Sequence, residues 1–334
     1  MTFLSAALPG WISPRASPIR KPQQREALVP ELIALGEPLV EFNQQPDPEL
    51  YKSGFGGDTS NTVIAAARQG ASTGYLTAVG QDRFGDLLLD LWRRERVDAS
   101  HVKRDPAAPT GIYFVSHDAA GHHFHYYRAG SAASRMTPAD LPLDYLTSAK
   151  ILHVSAISQA ISDSANATVL AAIDAAKAAG VTVCFDTNLR LKLWPLEKAK
   201  PAIEEAARRA DILRPALDDA QTLTGLKDVD SILDYYLDLG PKLVVMTMGK
   251  FGVVLASREA RHRLKPHQVE AIDATGAGDT FNGNFLGRLL AGDSPLEAAR
   301  YANAAAALKT TGYGAVAPMP RADAVRRFMA EQSR

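Results

Sequence analysis

The stretch Ala271-Ile272-Asp273-Ala274-Thr275-Gly276-Ala277-Gly278-Asp279-Thr280-Phe281-Asn282-Gly283 brings together residue types that could do chemistry. It reads as the end of an apolar strand that tightens through two glycines and opens an Ala/Leu-rich helix towards Leu290. Gly276 and Gly278 let the backbone turn sharply and approach a ligand with no Cβ in the way. The first amides of the following helix have no intrahelical partner and sit at the positive end of its dipole, ready for a phosphate or a developing oxyanion. Asp279, in that first turn, could accept a proton from a hydroxyl while those amides hold the group that the hydroxyl attacks. Taken alone, the stretch reads equally as a capping Asp in a glycine loop, a common device.

A second glycine-rich stretch, Gly54-Phe55-Gly56-Gly57-Asp58-Thr59-Ser60-Asn61, precedes a helix expected over Thr62–Gln69 and ended by Gly70. Thr59 stands where a dinucleotide fingerprint needs its third glycine, so that reading fails. Two adjacent glycines before Asp-Thr-Ser-Asn allow amides and short polar side chains to surround a polyhydroxylated ligand; a plain turn capped by Asp58 or Thr59 fits as well. Asp186, Asn188 and Arg190 close an apolar strand, and the carboxyl ends of strands are where open α/β sheets bind ligands. Phe124, Tyr126 and Arg128 share one face of an extended run. Arg128 and Arg190 could fork onto a carboxylate, and Tyr113 and Tyr126 offer hydroxyls, although a lone arginine is more often a surface ion pair. His122 lies opposite His123 and His125 by strand alternation with no ligating Cys or carboxylate nearby, which argues against a metal site there. Lys250 follows Gly249, but the glycine five residues before Gly249 is missing, so this is not a Walker loop.

The elements that must position these residues are legible in outline. Of 334 residues, 46% are hydrophobic and 22% charged, enough for one large α/β domain or two smaller ones. Zero net charge gives no sign of nucleic acid or an anionic membrane as partner, and no apolar run reaches the length of a membrane span. A single cysteine, Cys184, in an apolar strand excludes an internal disulfide and reads as buried and inert, and the cytoplasm follows by default. Residues 1–30, rich in Pro, Ser and Arg, read as a disordered extension rather than a targeting signal, since the basic residues follow the apolar ones. Leu32–Phe42 reads as a strand leading into a second extended piece, and Tyr75–Gly80 as one strand followed by a helix capped by Asp82. Thr110–Ser116 and His122–Arg128 form a hairpin pattern. From Ile151 onward strands and helices alternate, with a helix over about Ser164–Ala179 and two closing helices over about Pro295–Thr310 and Arg321–Ala330. That alternation predicts a mainly parallel, doubly wound sheet. No internal repeat is evident.

Asp273-Ala274-Thr275-Gly276-Ala277-Gly278-Asp279 resembles the D-T-x-G-A-G-D signature of the ribokinase-like (PfkB) carbohydrate kinases, with Ala274 in place of the usual Thr. Gly56–Asn61 resembles that family's sugar-binding G-G-x-x-x-N, and Val79–Gly85 its V-G-x-D-x-F-G. Gly36–Asn43, Pro109–Tyr113, Tyr126–Ala132 and Asp186–Trp194 look most like the 2-keto-3-deoxygluconate kinases within it. The resemblance, which runs from Leu32 onward, implies a ribokinase-like three-layer α/β/α sandwich over residues 31–334. It adds a small β-sheet lid from strands around 38–54 and 109–130, through which such chains pair. It implies ATP and Mg²⁺, with a monovalent cation as an open question. Asp279 would be the base and Gly276, Ala277 and Gly278 the anion hole. Gly57, Asp58, Thr59, Ser60, Asn61, Tyr113, Tyr126, Arg128 and Arg190 would bind the sugar acid. Thr247, Gly249, Gly252, Gly276, Gly278 and Asn303 would bind ATP. The family's N-x-x-E reads Ala216 and Asp219 here, aligned on Pro215, so no protein ligand for the metal is assigned. The alternatives are a kinase of the same fold for another sugar (fructose, ribose or the galactonate epimer) and a non-catalytic sugar sensor.

Overall fold

Alternation along the strands sorts the core into two sheets of side chains. The computed structural model describes residues 29–332, except residues 119 and 120 and the side chain of His122; most of the 1–30 extension therefore lies outside the described residues. Ile33, Leu152, Val154, Val183, Phe185, Leu213, Val244 and Met246 point to one side of the large sheet. Leu32, Ala34, Ile151, Cys184, Ile212 and Val245 point to the other. The period of two in buried strands thus builds two apolar layers, each covered by helices. Asp163–Ala178, Leu196–Arg209, Leu217–Thr224 and Val229–Leu239 cover the first side. Asp58–Ala67, Arg83–Glu95, Ala277–Leu290 and Pro295–Lys309 cover the second.

The sheet has nine strands, in the spatial order Arg261–Leu264, Val253–Ala256, Leu243–Thr247, Ile212–Arg214, Thr182–Asp186, Ile151–Ser155, Leu32–Leu35, Thr73–Leu76 and Val97–Asp98. All pairings are parallel except the two that add Val253–Ala256 and Arg261–Leu264. This is the ribokinase-like sandwich expected. A separate four-stranded sheet forms the lid, in the order Tyr51–Gly56, Leu39–Gln44, Ile112–Asp118, Gly121–Tyr127. Its central pair, Val40 opposite Ile112 through Asn43 opposite Val115, runs parallel.

Three expectations are corrected. Tyr75–Gly80 is two strands in different sheets: Thr73–Leu76 stays in the large sheet, while Ala78–Gly80 pairs with Lys103–Asp105. The helix after the first glycine pair starts at Asp58, because Gly57 takes φ 103° and releases the chain into it at once. No strand leads into the Gly276 turn. Ile272 is 50% exposed, and the Ile272 and Asp273 amides donate to Thr310 O at 2.7 and 3.0 Å, so the loop after the last helical turn of Pro295–Lys309 holds this segment.

Candidate active site

The carboxyl ends of the parallel strands carry Ser155, Asp186, Arg214 and Thr247, and the loops beyond them meet the start of the helix Ala277–Leu290. That helix begins at Gly276, which takes φ 75°, and a Cβ there would come within 3.2 Å of Ala315. Glycine is required at this position. The Ala277 amide donates to Ala274 O at 3.0 Å and closes the turn, and Thr280 N returns to Gly276 O at 2.9 Å. Ala277 is therefore not an open donor, a departure from the expected anion hole. Among the described residues the Gly278 and Asp279 amides have no acceptor, and a Cβ on Gly278 would meet nothing within 4 Å. Two unengaged amides at a helix start, facing open space, suit an anionic oxygen.

Asp279 is met by Asn61, whose Nδ2 donates to Asp279 Oδ2 at 2.8 Å. The contact depends on the close crossing of the helices Asp58–Ala67 and Ala277–Leu290, where a Cβ on Gly283 would sit 2.2 Å from Thr62 O. Asp58 and Asn61, three apart, share the helix face that looks into the site. Thr59 and Ser60 face elsewhere: the Thr59 hydroxyl bonds the Tyr75 hydroxyl at 3.0 Å, and Ser60 Oγ accepts from Trp92 Nε1 at 2.9 Å. Both side chains belong to the core, against the expectation that they line the pocket. Gly57 is there because a Cβ would lie 2.5 Å from Glu37 O.

Burial, with the Asp58 and Asp186 charges, pushes the Asp279 carboxyl up to about 8, against the opposing pull of the Asn61 amide and Arg190. A carboxyl poised near neutrality suits a general base. Behind it runs a hydrogen-bonded chain. Arg214 Nε donates to Asn282 Oδ1 at 2.5 Å, and Asn282 Nδ2 to Asp186 Oδ2 at 2.6 Å. Asp186 Oδ1 accepts the Asn188 amide at 3.0 Å, and Asn188 Nδ2 reaches Asp58 Oδ2 at 2.9 Å. Arg214, buried and stacked 4.4 Å over the Phe281 ring, was not singled out from the sequence, nor was Asn282. The available signal was an arginine ending an apolar strand opposite Asp186 in register.

The lid supplies the other wall. Tyr113 donates to Glu41, and its ring stacks on Tyr126 at 5.4 Å between centroids. Burial, then the Glu41 charge, raises the Tyr113 pKa, and the Asp279 charge adds to it. Arg128 is ion-paired with the buried Glu37, whose other oxygen accepts from Ser131 Oγ at 2.6 Å. Arg128 was expected to stand ready for a ligand; it already has a carboxylate partner, while its buried Nε has none. Arg190 is exposed, donates to Leu189 O at 2.9 Å, and lowers the pKa of both Asp279 and Asp219. Asp219, at the place of the family's glutamate, accepts the Leu189 amide at 3.1 Å, and burial raises it to about 6.

The segments expected at a nucleotide have their own local contacts. Thr247 ends its strand, Gly249 opens a short 3₁₀ turn, and Met248 N donates to Gly252 O at 2.8 Å. Gly252 takes φ 91°, and its Cβ would meet Leu264 O at 2.0 Å. Asn303 Nδ2 donates to Lys265 O at 2.8 Å. Among the described residues no group of three His, Cys, Asp or Glu side chains is placed to hold a metal ion. His123 pairs with Asp118 at 2.9 Å and His125 with Ser116 at 3.1 Å. No helix of the described residues is long and apolar enough to cross a membrane.

The chain is 37% identical over 313 residues to a 2-dehydro-3-deoxygluconokinase of Thermoproteus tenax, an alignment covering 89% of this chain and 93% of that one. It is 32% identical over 305 residues to a probable fructokinase-2 of Arabidopsis thaliana, covering 86% and 92%. Its fold matches a fructokinase with bound ATP from Xylella fastidiosa with a TM-score of 0.84 and 26% identity, covering 91% of this chain and all of that one. Residues 33–322 match the family described as pfkB family carbohydrate kinase. With that match, a ribokinase-like sandwich and an Asp at the start of a glycine-opened helix, this chain belongs to the pfkB family of carbohydrate kinases.

Proposed function

We propose that this carbohydrate kinase transfers the γ-phosphoryl group of ATP to the C6 hydroxyl of 2-keto-3-deoxygluconate. The observation that carries the substrate is that Arg128 and Arg190 stand among the carboxylates Glu37, Glu41, Asp58, Asp186 and Asp279, while the other two cations near them, Arg214 and Lys309, are buried and engaged with Asn282 and Asp273. A sugar acid needs those cations; a neutral sugar does not. The similarity to the Thermoproteus protein supports the same reading.

In this mechanism Asp58 and Asn61 orient sugar hydroxyls, and Tyr113, Tyr126, Arg128 and Arg190 hold the carboxylate end. Asp279 removes the proton of the attacking hydroxyl, and the Gly278 and Asp279 amides hold the charge of the transferring group. The triphosphate lies towards Gly276 and Gly278, with the base and ribose along Thr247, Gly249, Gly252 and Asn303. Mg²⁺ would be held mainly by the phosphates of ATP and by water, and would supply screening of the phosphate charge. The lid, closing on the sugar, keeps water from the phosphoryl group. Exposed Phe124, Tyr126 and Tyr127 on the lid support pairing of two lids, and the inert, buried Cys184 supports a cytoplasmic enzyme.

A second reading, a kinase for a neutral sugar such as fructose, is favoured by the Arg128–Glu37 pair, which leaves Arg128 already neutralised, and by the fructokinase relative. Coupled ADP release with Mg-ATP decides between them, using 2-keto-3-deoxygluconate, its galactonate epimer, fructose, ribose and gluconate. Turnover confined to the keto-deoxy acids, with KM raised at least ~10-fold in Arg128→Ala, is the expected result. Preference for fructose or ribose overturns the substrate. No turnover with any sugar of the panel overturns the kinase reading in favour of a non-catalytic sugar sensor.

A further inference from the structure

Lys309 is 0% exposed, a fully buried ammonium at the last position of the helix Pro295–Lys309. Lysine is rarely buried without a partner, because desolvating its charge is costly. Its Nζ donates to Asp273 O at 2.8 Å, in the loop that leads to the glycine turn. Asp273 in turn accepts the Thr275 amide at Oδ1 and the Gly314 amide at Oδ2, both at 2.8 Å. One lysine therefore holds the carbonyl of the residue whose carboxylate ties the turn before Gly276 to the loop after the helix. None of the roles assigned above uses it.

We propose that Lys309 is a positioning residue for phosphoryl transfer: its ammonium fixes the Asp273–Gly276 turn through the Asp273 carbonyl and adds a positive charge that favours the Asp279 carboxylate. This rests on the reading of Asp279 as base. The geometry is the hydrogen bond to Asp273 O and the burial of the ammonium beneath the turn. The charges facing Lys309 are Asp273, Asp279 and Glu41, and all three favour its protonated form against burial. Such an interaction is mutual, so a charged Lys309 favours the Asp279 carboxylate. Facing Asp279 from the other elements are Asp58 and Asp186, which oppose ionisation, and Arg190 and the Asn61 amide, which favour it. The ammonium also lies at a helix C-terminus, where the dipole favours a cation.

The test compares Lys309→Met with Lys309→Gln, whose amide can still donate to Asp273 O but carries no charge. Folding is checked by thermal unfolding. The readout is the pH dependence of kcat/KM with Mg-ATP and 2-keto-3-deoxygluconate, or fructose if that is the sugar the wild type turns over. Both variants are expected to lose ~10-fold or more in kcat and to move the acid limb alkaline by at least ~0.5 pH unit. A merely structural lysine would lower activity in Met, restore it in Gln and leave the limb in place. That result, or a wild-type profile in both, overturns the proposal. Asp279→Asn run alongside separates the two ideas: if it retains turnover, the base reading fails, and if it is inactive while Lys309→Gln keeps the wild-type limb, Lys309 alone is wrong.

Discussion

Asn61 and Asp279 lie 218 positions apart in the chain and 2.8 Å apart in the fold, an amide donating to the carboxylate that stands at the mouth of the glycine turn. The bond orients one carboxylate oxygen and leaves the other to face a hydroxyl. Asn61→Ala is expected to lower kcat about 10-fold while raising the acid limb of kcat/KM, because a hydrogen bond to the ionised form is lost. A pH-rate profile of the variant checks both.

Asp279→Asn should lower kcat by at least ~100-fold, the scale of a lost general base. The same change should stabilise the fold. A carboxyl whose pKa is raised on folding costs stability at every pH above its unfolded value, and the cost grows until the pH passes the folded value of about 8. Removing the charge removes the cost, so the melting temperature at pH 8 should rise by about 2 °C or more. Unchanged turnover would dismiss Asp279 as base.

The wild-type kcat/KM should climb with pH and level off above about 8, since the free enzyme's base is protonated below that value. A profile flat from pH 6 to 9 would show that Asp279 titrates elsewhere or not in the rate-limiting step.

Gly283→Ala places a methyl group 2.2 Å from Thr62 O and 2.6 Å from the Ala65 Cβ, both on a buried helix. The two helices must separate, at a cost of about 1–3 kcal/mol. Urea denaturation should show that loss, and kcat should fall with it, because the separation draws Asn61 away from Asp279. Retained activity at reduced stability would mean the crossing serves packing alone.

Arg214→Met keeps the volume and removes the charge that Asp186 and Asn282 face. Breaking a buried charge network of this kind costs about 3–5 kcal/mol. Equilibrium unfolding measures it directly; a change below ~1 kcal/mol would show that Asn282 and Asp186 hold the strand ends without the arginine.

What was legible in the chain was local. The glycine turn before Asp279 and the Gly56–Asn61 stretch announce themselves because a turn and a helix start demand particular residues at fixed spacing. The mainly parallel sheet followed from alternation of strands and helices and the hairpin Ile112–Tyr127 from its own pattern, whereas the three layers and the lid were implied by the family resemblance. Tyr75–Gly80 misled because Leu76 and Ala78 are both apolar, and nothing local marks the change of sheet at Thr77. Glu37, Arg214, Asn282 and Lys309 were silent for another reason. Nothing in the adjoining residues marks any of the four, and only the packing of distant elements shows that each is buried and what it holds. Thr59 and Ser60 sat within a sugar-binding pattern, yet helical phase turns them into the core.

The parallel pairing of Leu39–Gln44 with Ile112–Asp118 has a consequence for how the protein comes into being. A parallel pair cannot close through a tight turn, so the lid waits until the chain has laid down everything between. Asp279, the partner of Asn61, arrives later still, after most of the sheet has been made. A nascent or truncated chain can thus hold half a sugar pocket but no machinery to spend ATP on it. Both halves of the site are present only once the chain has been made through the helix Ala277–Leu290.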